Sequence, residues 1–451
     1  MADELSPADR SSLAAEQGPV NMAVGGVLVF DEGPGVSLDA VIERLESRLH
    51  LIPRYRQRLQ QPTPGGFTNP VWVDDSGFDA HWHVRGAATE DVARFVGVEM
   101  SRRLDRTRPL WEMSLARGFA PGRVALVPKM HHALVDGVAA VDVGTVILDP
   151  TPEPMELPPP DEPWEPRPYD RRRHLARLAA SPMVQAQRLF LQGAERALTA
   201  TTDPLKAPGD LRKATELVTQ LARTRPQAPM TFLNRGIGPN RRYAMVRAPL
   251  AELKASAKAA GGTVNDAILA AVAGMLARLF ELAGERPGRP PVALVPVSVR
   301  REGEEGGNRI STVLVDLPQA PSPAAAIAEV HDAMTALKDS PAVRAGALLV
   351  GAGGWAPPLV SSTLARAMGG VRAFNVVVSN IPGPQQPFYL NGSQLREAYP
   401  VVPLNPASQG MTVGVLSYDG CVHFGLLADR DLSPSVTDAA AALTEALAEL
   451  S

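Results

Sequence analysis

The chain has 451 residues, 45% of them hydrophobic and 21% charged, with a formal net charge of −3. That length exceeds one ordinary core and predicts two domains or one large pseudo-repeated unit, in a folded, soluble composition. The near-neutral balance excludes a global field for nucleic acid, and a single cysteine, Cys421, excludes an internal disulfide framework and suits a reducing compartment.

The opening MADELSPADR carries acids and no cationic lead into an apolar run, so it does not read as a secretory signal. No stretch reaches the roughly 18 uninterrupted apolar residues of a membrane-spanning helix. Val24 to Gly33 reads as a strand, and SLDAVIERLESRLHLIP as a helix capped by Ser37 and ended by Pro53. VWVDD and FDAHWHVR alternate like strands. ATEDVARFVGVEMSRRL is helical, with acids in its first turn. RVALVPKMHH is extended and leads into a helix from Gly137 to about Leu148. These elements predict an α/β unit over residues 1–150.

A proline- and acid-rich run, DPTPEPMELPPPDEPWEPRPYD, then reads as a surface linker. From Arg167 to Pro226 there are twelve Arg or Lys against five Asp or Glu, and RRRHLARLAASPMVQAQRLFLQGAERAL has an amphipathic helical pattern broken at Pro182. Two readings stay open for this basic region: a solvated helix over a domain joint, or attachment to an anionic lipid surface. Residues 151–229 are therefore a linker and basic crossover, and 230–451 form a second α/β unit. In that unit YAMVRAPL is a strand, LAELKASAKAAG a helix closed by Gly261, and TVNDAILAAVAGMLARLFELAG a long helix capped by Thr263 or Asn265. Strands follow at PVALVPVSVR, STVLVDL, AFNVVVSNIPG, MTVGVLSYDG and VHFGLLAD, with helices near Ala324 to Leu337 and at the C-terminus. Leu110, Trp111 and Cys421 read as core residues.

KMHHALVDGVA, residues 129–139, holds the strongest chemical signal: two adjacent histidines, then Asp136 and Gly137. A metal pair would need a third ligand, and none lies nearby. Strand alternation instead sends His131 and His132 to opposite faces, so one is inward and inert while the other can work as a base. Asp136 would brace the loop and Gly137 let it turn tightly. Asn265 reads equally as a helix cap or as an oxyanion donor beside Asp266; Ser379 and Asn380 read as channel lining or as turn formers.

HHALVDG resembles the HHxxxDG signature of an acyltransferase superfamily. LSPADRSSLAAE, RPLWE, TFLN with IGPNRRYA, VNDAILA, PVSVR, GNRIS, SNIPGP and LSYDG…FGLLAD are similar, in order and spacing, to the bacterial wax ester synthase/diacylglycerol acyltransferases, over nearly the whole chain. This resemblance implies an α/β fold of two chloramphenicol acetyltransferase-like subdomains, with mixed sheets flanked by helices and an active-site channel between them. It implies transfer of a fatty acyl group from acyl-coenzyme A to diacylglycerol or a long-chain alcohol, with His132 as general base and coenzyme A entering as substrate rather than cofactor. It further implies a cytoplasmic protein in peripheral contact with the inner membrane face or lipid droplets, and no nucleic-acid partner. Two other readings are a condensation-domain-like catalyst using carrier-bound acyl groups, and a non-catalytic lipid-binding protein.

Overall fold

The structure, a computed structural model, describes residues 3–63, 68–134, 146–160, 162–180, 228–298, 310–338, 373–404 and 409–450. In chain order the first half contains strands β1 (Asp3–Glu4), β2 (Ala23–Asp31), β3 (Gln57–Gln60), β4 (Val71–Asp74), β5 (Val84–Ala88), β6 (Trp111–Arg117) and β7 (Arg123–His131). Its helices are α1 (Pro7–Ala15), α2 (Leu38–Arg48), α3 (Ala80–His83), α4 (Val92–Ser101) and α5 (Arg171–Ala180). The second half contains strands β8 (Arg241–Pro249), β9 (Val292–Ser298), β10 (Ile310–Asp316), β11 (Val376–Pro382), β12 (Tyr389–Leu390), β13 (Ser393–Val401), β14 (Met411–Tyr418) and β15 (Cys421–Asp429). Helices α6 (Leu250–Ala259), α7 (Val264–Ala283), α8 (Pro323–Lys338) and α9 (Val436–Leu450) accompany them.

Two six-stranded sheets result, ordered β12-β13-β2-β7-β6-β5 and β10-β9-β11-β14-β15-β8. Both are mixed: β5 runs parallel to β6, and β11 runs parallel to β9 and β14, while the other pairs are antiparallel. The expected two-lobed α/β layering with mixed sheets is what forms. A small sheet, β1-β4-β3, flanks the first lobe.

Local chemistry sets the helix ends. Ser37 accepts from the Ala40 amide at the start of α2. Thr263 and Asp266 form a reciprocal capping box on α7, so the cap is Thr263 rather than Asn265. Gly284, at φ +65°, ends α7 in the left-handed conformation that glycine adopts without strain. The stretch FDAHWHVR departs from its expected strand. The Asp79 carboxylate accepts from the His81 amide and folds Ala80–His83 into a single helical turn before β5 begins. Of the helix expected over 137–148, residues 137–145 lie outside the described residues.

The β12–β13 hairpin was not expected from the sequence. It belongs to the second half of the chain yet completes the first sheet, pairing antiparallel to β2 from Leu395↔Phe30 to Val401↔Gly25. The segment 230–451 is thus continuous in sequence but shared between the two lobes in space. The hairpin's outer strand is pinned at Asp149, which exchanges two backbone hydrogen bonds with Tyr389, both 2.8 Å. The Asp149 carboxylate is fully buried against Arg44 and Arg48.

Strand β13 also packs on the second sheet, and glycines make room for it. A Cβ on Gly425 would lie 1.9 Å from the Pro400 carbonyl oxygen, and one on Gly414 would lie 3.0 Å from the Pro400 ring. The Tyr243 hydroxyl donates to Pro400 O at 2.9 Å across the same seam. An apolar cluster spans it, drawing Val27, Val96 and Met100 from one lobe and Tyr243, Val401 and Leu427 from around the crossing. The linker is tied down as well: Arg167 bonds Asp74 at 3.0 Å, and Arg56 stacks over Trp164.

His423 on β15 sits in the seam, 1% exposed, edge-on to the Tyr399 ring at 5.0 Å, with neither ring nitrogen hydrogen-bonded. Burial holds its pKa down at about 4, and burial does the same for His83. The unfolded chain therefore binds more protons than the folded one between about pH 6.5 and 4, so stability is full above that window and falls as pH drops through it. Thermal unfolding should shift to lower temperature on acidification from pH 7 toward 4. His423→Leu should flatten that dependence by roughly 1.4 kcal/mol per pH unit. An unchanged slope in the variant would contradict a buried neutral imidazole.

Candidate active site

Strand β7 ends at the histidine pair. Its ladder pairs Ala23 with His131, and the His132 amide then reaches across to Met22 O at 2.9 Å. His131 turns inward and is 1% exposed. Its Nδ1 accepts from the Ala133 amide at 3.0 Å, so in the neutral ring the proton resides on Nε2, which faces Glu16 Oε2 at 3.6 Å. Glu16 is itself buried. Burial works to raise its pKa, but the neighbouring His131 ring and the Arg106 guanidinium outweigh that and hold it at about 2. Arg106 donates to Oε2 at 2.6 Å, and the Met22 amide to Oε1 at 3.3 Å. His131 is therefore packed beneath the strand end, with Glu16, at the end of α1, beside its ring.

His132 faces the other way, onto a cavity of about 430 Å³. Ser12 Oγ on α1 lies 3.4 Å from its Nδ1. Both lobes build the walls: Met113 and Met130 from the first sheet with Met22 just before β2, Leu294, Pro296 and Ile381 from the second, and the crossing strand β13. A volume in this range with a mostly apolar lining is typical of a small-molecule site. The polar side chains in the described lining are His132, Ser379, Tyr399 and Tyr418. Two of these hydroxyls are already engaged. Tyr418 donates to Leu395 O and accepts from the Phe388 amide, and Tyr399 donates to Glu397. His132 and Ser379 are the other two polar side chains that reach the cavity.

The opening in the second sheet has a sequence cause. Strand β11 pairs with β9 only at Val376 and Val377, then stays on β14 alone from Val378 to Pro382. Pro296, which has no amide hydrogen to donate, stands on β9 just past the point where the pairing stops. Along β11, alternation puts Val377, Ser379 and Ile381 on the cavity. Asn380 falls on the opposite, helix-covered face, where its Nδ2 donates to Asn265 Oδ1 at 3.0 Å.

The structure thus brings His132 and Ser379 to one cavity and His131 beneath it. It brings Asn265 and Asn380 to each other, outside the described lining. Asp266 is 2% exposed, and its Oδ2 accepts from the Thr263 amide and hydroxyl and lies 2.8 Å from His331 Nδ1, bracing the start of α7. Asp136 and Gly137 lie outside the described residues. Among the described residues no cluster of three or more metal-ligating side chains occurs. Sequence reading passed over Ser12, Glu16 and Arg106 as site residues. A signal existed in LSPADRSSLAAE, where a serine and a glutamate stand four apart on one helix face. His331 carried no comparable signal, since its partner is 65 residues away.

Known proteins resemble this chain in sequence and fold. Residues 5–268 match the wax ester synthase/diacylglycerol acyltransferase catalytic domain, and residues 306–451 match the WS/DGAT C-terminal domain. The probable diacylglycerol O-acyltransferase tgs2 of Mycobacterium tuberculosis is 31% identical over 470 residues, covering 99% of this chain and 98% of that protein. The probable diacylglycerol O-acyltransferase tgs1 of the same organism is 30% identical over 463 residues, covering 99% and 96%. The solved wax ester synthase/diacylglycerol acyltransferase from Marinobacter aquaeolei VT8 superposes with a TM-score of 0.68 at 28% identity, over 99% of this chain and 98% of that one. A starter condensation domain of rhizomide synthetase shares the fold alone, with a TM-score of 0.56 at 15% identity over 100% of this chain and 94% of that one. The chain belongs to the wax ester synthase/diacylglycerol acyltransferase family.

Proposed function

We propose that this protein transfers a fatty acyl group from acyl-coenzyme A to the free hydroxyl of diacylglycerol, with long-chain alcohols as a second acceptor class. The observation that carries the reading is a cavity, apolar on nearly all sides, whose described lining includes an imidazole, His132, and a hydroxyl, Ser379. Hydrocarbon chains fit such walls, and the reacting ends meet His132.

An alcohol is a weak nucleophile at neutral pH. His132 takes the acceptor's hydroxyl proton as its oxygen bonds to the thioester carbonyl carbon. The tetrahedral intermediate then expels the coenzyme A sulfur, and His132 returns the proton to that thiolate. The products are ester and free coenzyme A, and no covalent acyl-enzyme forms. Ser379 is the candidate hydroxyl donor to the oxygen that gains charge in the intermediate. A Nδ1 proton directed at Ser12 would leave Nε2 as the basic nitrogen of His132.

The second part of the proposal concerns location. Among the described residues no helix is long and apolar enough to cross a membrane. Helix α5 exposes Arg171, Arg172 and Arg173 on a segment fastened to the first lobe through Arg167 and Asp74. Such a cationic face suits an anionic lipid surface, where water-insoluble acceptors reside. Flotation with anionic liposomes should weaken when these three arginines are neutralised; unchanged flotation would reject the attachment.

The activity itself is tested with labelled palmitoyl-coenzyme A and either diacylglycerol or a long-chain alcohol. Labelled neutral lipid should form with the native protein. His132→Ala should lower the rate by about 10²–10⁴-fold, the usual contribution of a positioned base. Failure to turn over any coenzyme A thioester would sink the reaction, and full activity in the variant would sink His132 as its base.

A further inference from the structure

We infer that Ser12 is a positioning residue of the reaction, holding the His132 ring through Nδ1, and that helix α1 is thereby part of the active site. The inference rests on His132 being the base. Ser12 is 8% exposed, and a hydroxyl so enclosed must find a hydrogen-bonding partner within the protein. Its oxygen lies 3.4 Å from His132 Nδ1. One helical turn further on, Glu16 faces the neighbouring histidine, with Oε2 3.6 Å from His131 Nε2. Ser12 on α1 and Glu16 at its C-terminal cap therefore meet the two histidines in register, residue 12 with 132 and residue 16 with 131.

The helix is well fixed for this task. A reciprocal capping box between Ser6 and Asp9 starts it. Glu16 ends it, bonded by Arg106 and by the amide of Met22, which lines the cavity. The ring of a general base must keep one orientation through attack and collapse of the intermediate, and a fixed partner on the far nitrogen supplies that constraint. A small buried residue that merely packs α1 against the sheet would need no hydroxyl.

The test compares Ser12→Ala, Ser12→Thr and His132→Ala in the intact chain, with palmitoyl-coenzyme A and diacylglycerol as substrates and thermal unfolding as a control. Ser12→Ala should melt like the native protein and lose about tenfold to a hundredfold in kcat, a part of the roughly 10²–10⁴-fold that a positioned general base contributes. Its KM for palmitoyl-coenzyme A should not move, because Ser12 contacts the base rather than the substrate. Ser12→Thr, which keeps the hydroxyl, should recover most of the loss. A Ser12→Ala rate within twofold of native would overturn the role, as would equal impairment of the Ala and Thr variants. Activity surviving in His132→Ala would remove the base itself, a separate failure visible in its own variant.

Discussion

The crossing of β13 over the second sheet is the contact on which the site depends. The Pro400 carbonyl occupies the space where any side chain at position 425 would begin. Gly425 and Gly414 thereby let a strand hydrogen-bonded to β2 lie directly on β14 and β15. Inserting even one methyl group into contact this close forces backbone movement, which costs about 1–3 kcal/mol. The consequence reaches the cavity, because β13 forms one of its walls while β2, β7, β9 and β11 form others. Separate the lobes, and His132 and Ser379 would no longer share a chamber.

Buried charge holds the rest of this arrangement. Asp149 joins the end of the first lobe to the hairpin's outer strand, and two arginines from α2 neutralise it. Lys129, two residues before the histidines, is 2% exposed and donates to Arg102 O at 2.6 Å, satisfying a carbonyl at the end of α4. Burial lowers its pKa, while Glu112 and Glu99 oppose that. Asn21 donates to the Arg102 and Met100 carbonyls, so α4 is tied to both β2 and β7 near the site. Each charge has partners of opposite sign or aligned dipoles, and removing one partner would strand the other at a cost of roughly 3–5 kcal/mol.

Much of this was legible in the chain. Alternation along RVALVPKMHH predicts opposite faces for the two histidines, and the burial of His131 against the cavity exposure of His132 follows that pattern. The same alternation along VVVSNIP separates Ser379 from Asn380. The hairpin was hidden for identifiable reasons. SQLREAYPV carries a proline, which argues against an interior strand, and a register shift between Leu395 and Glu397 breaks its period of two. FDAHWHVR misled because a single Asp side chain outweighs alternation over four residues. Ser12 and Glu16 were written in a visible helical pair, but only tertiary packing reveals that their targets lie more than a hundred residues onward.

The most direct test of acyl transfer at this seam is a crystal structure with a non-transferable palmitoyl-coenzyme A thioether bound. The expected result places the carbon that stands for the thioester carbonyl beside His132 and Ser379, with the hydrocarbon chain running along Leu294, Pro296 and Ile381. An acyl chain seated elsewhere, with the cavity beside His132 left to solvent, would contradict a reaction between the lobes.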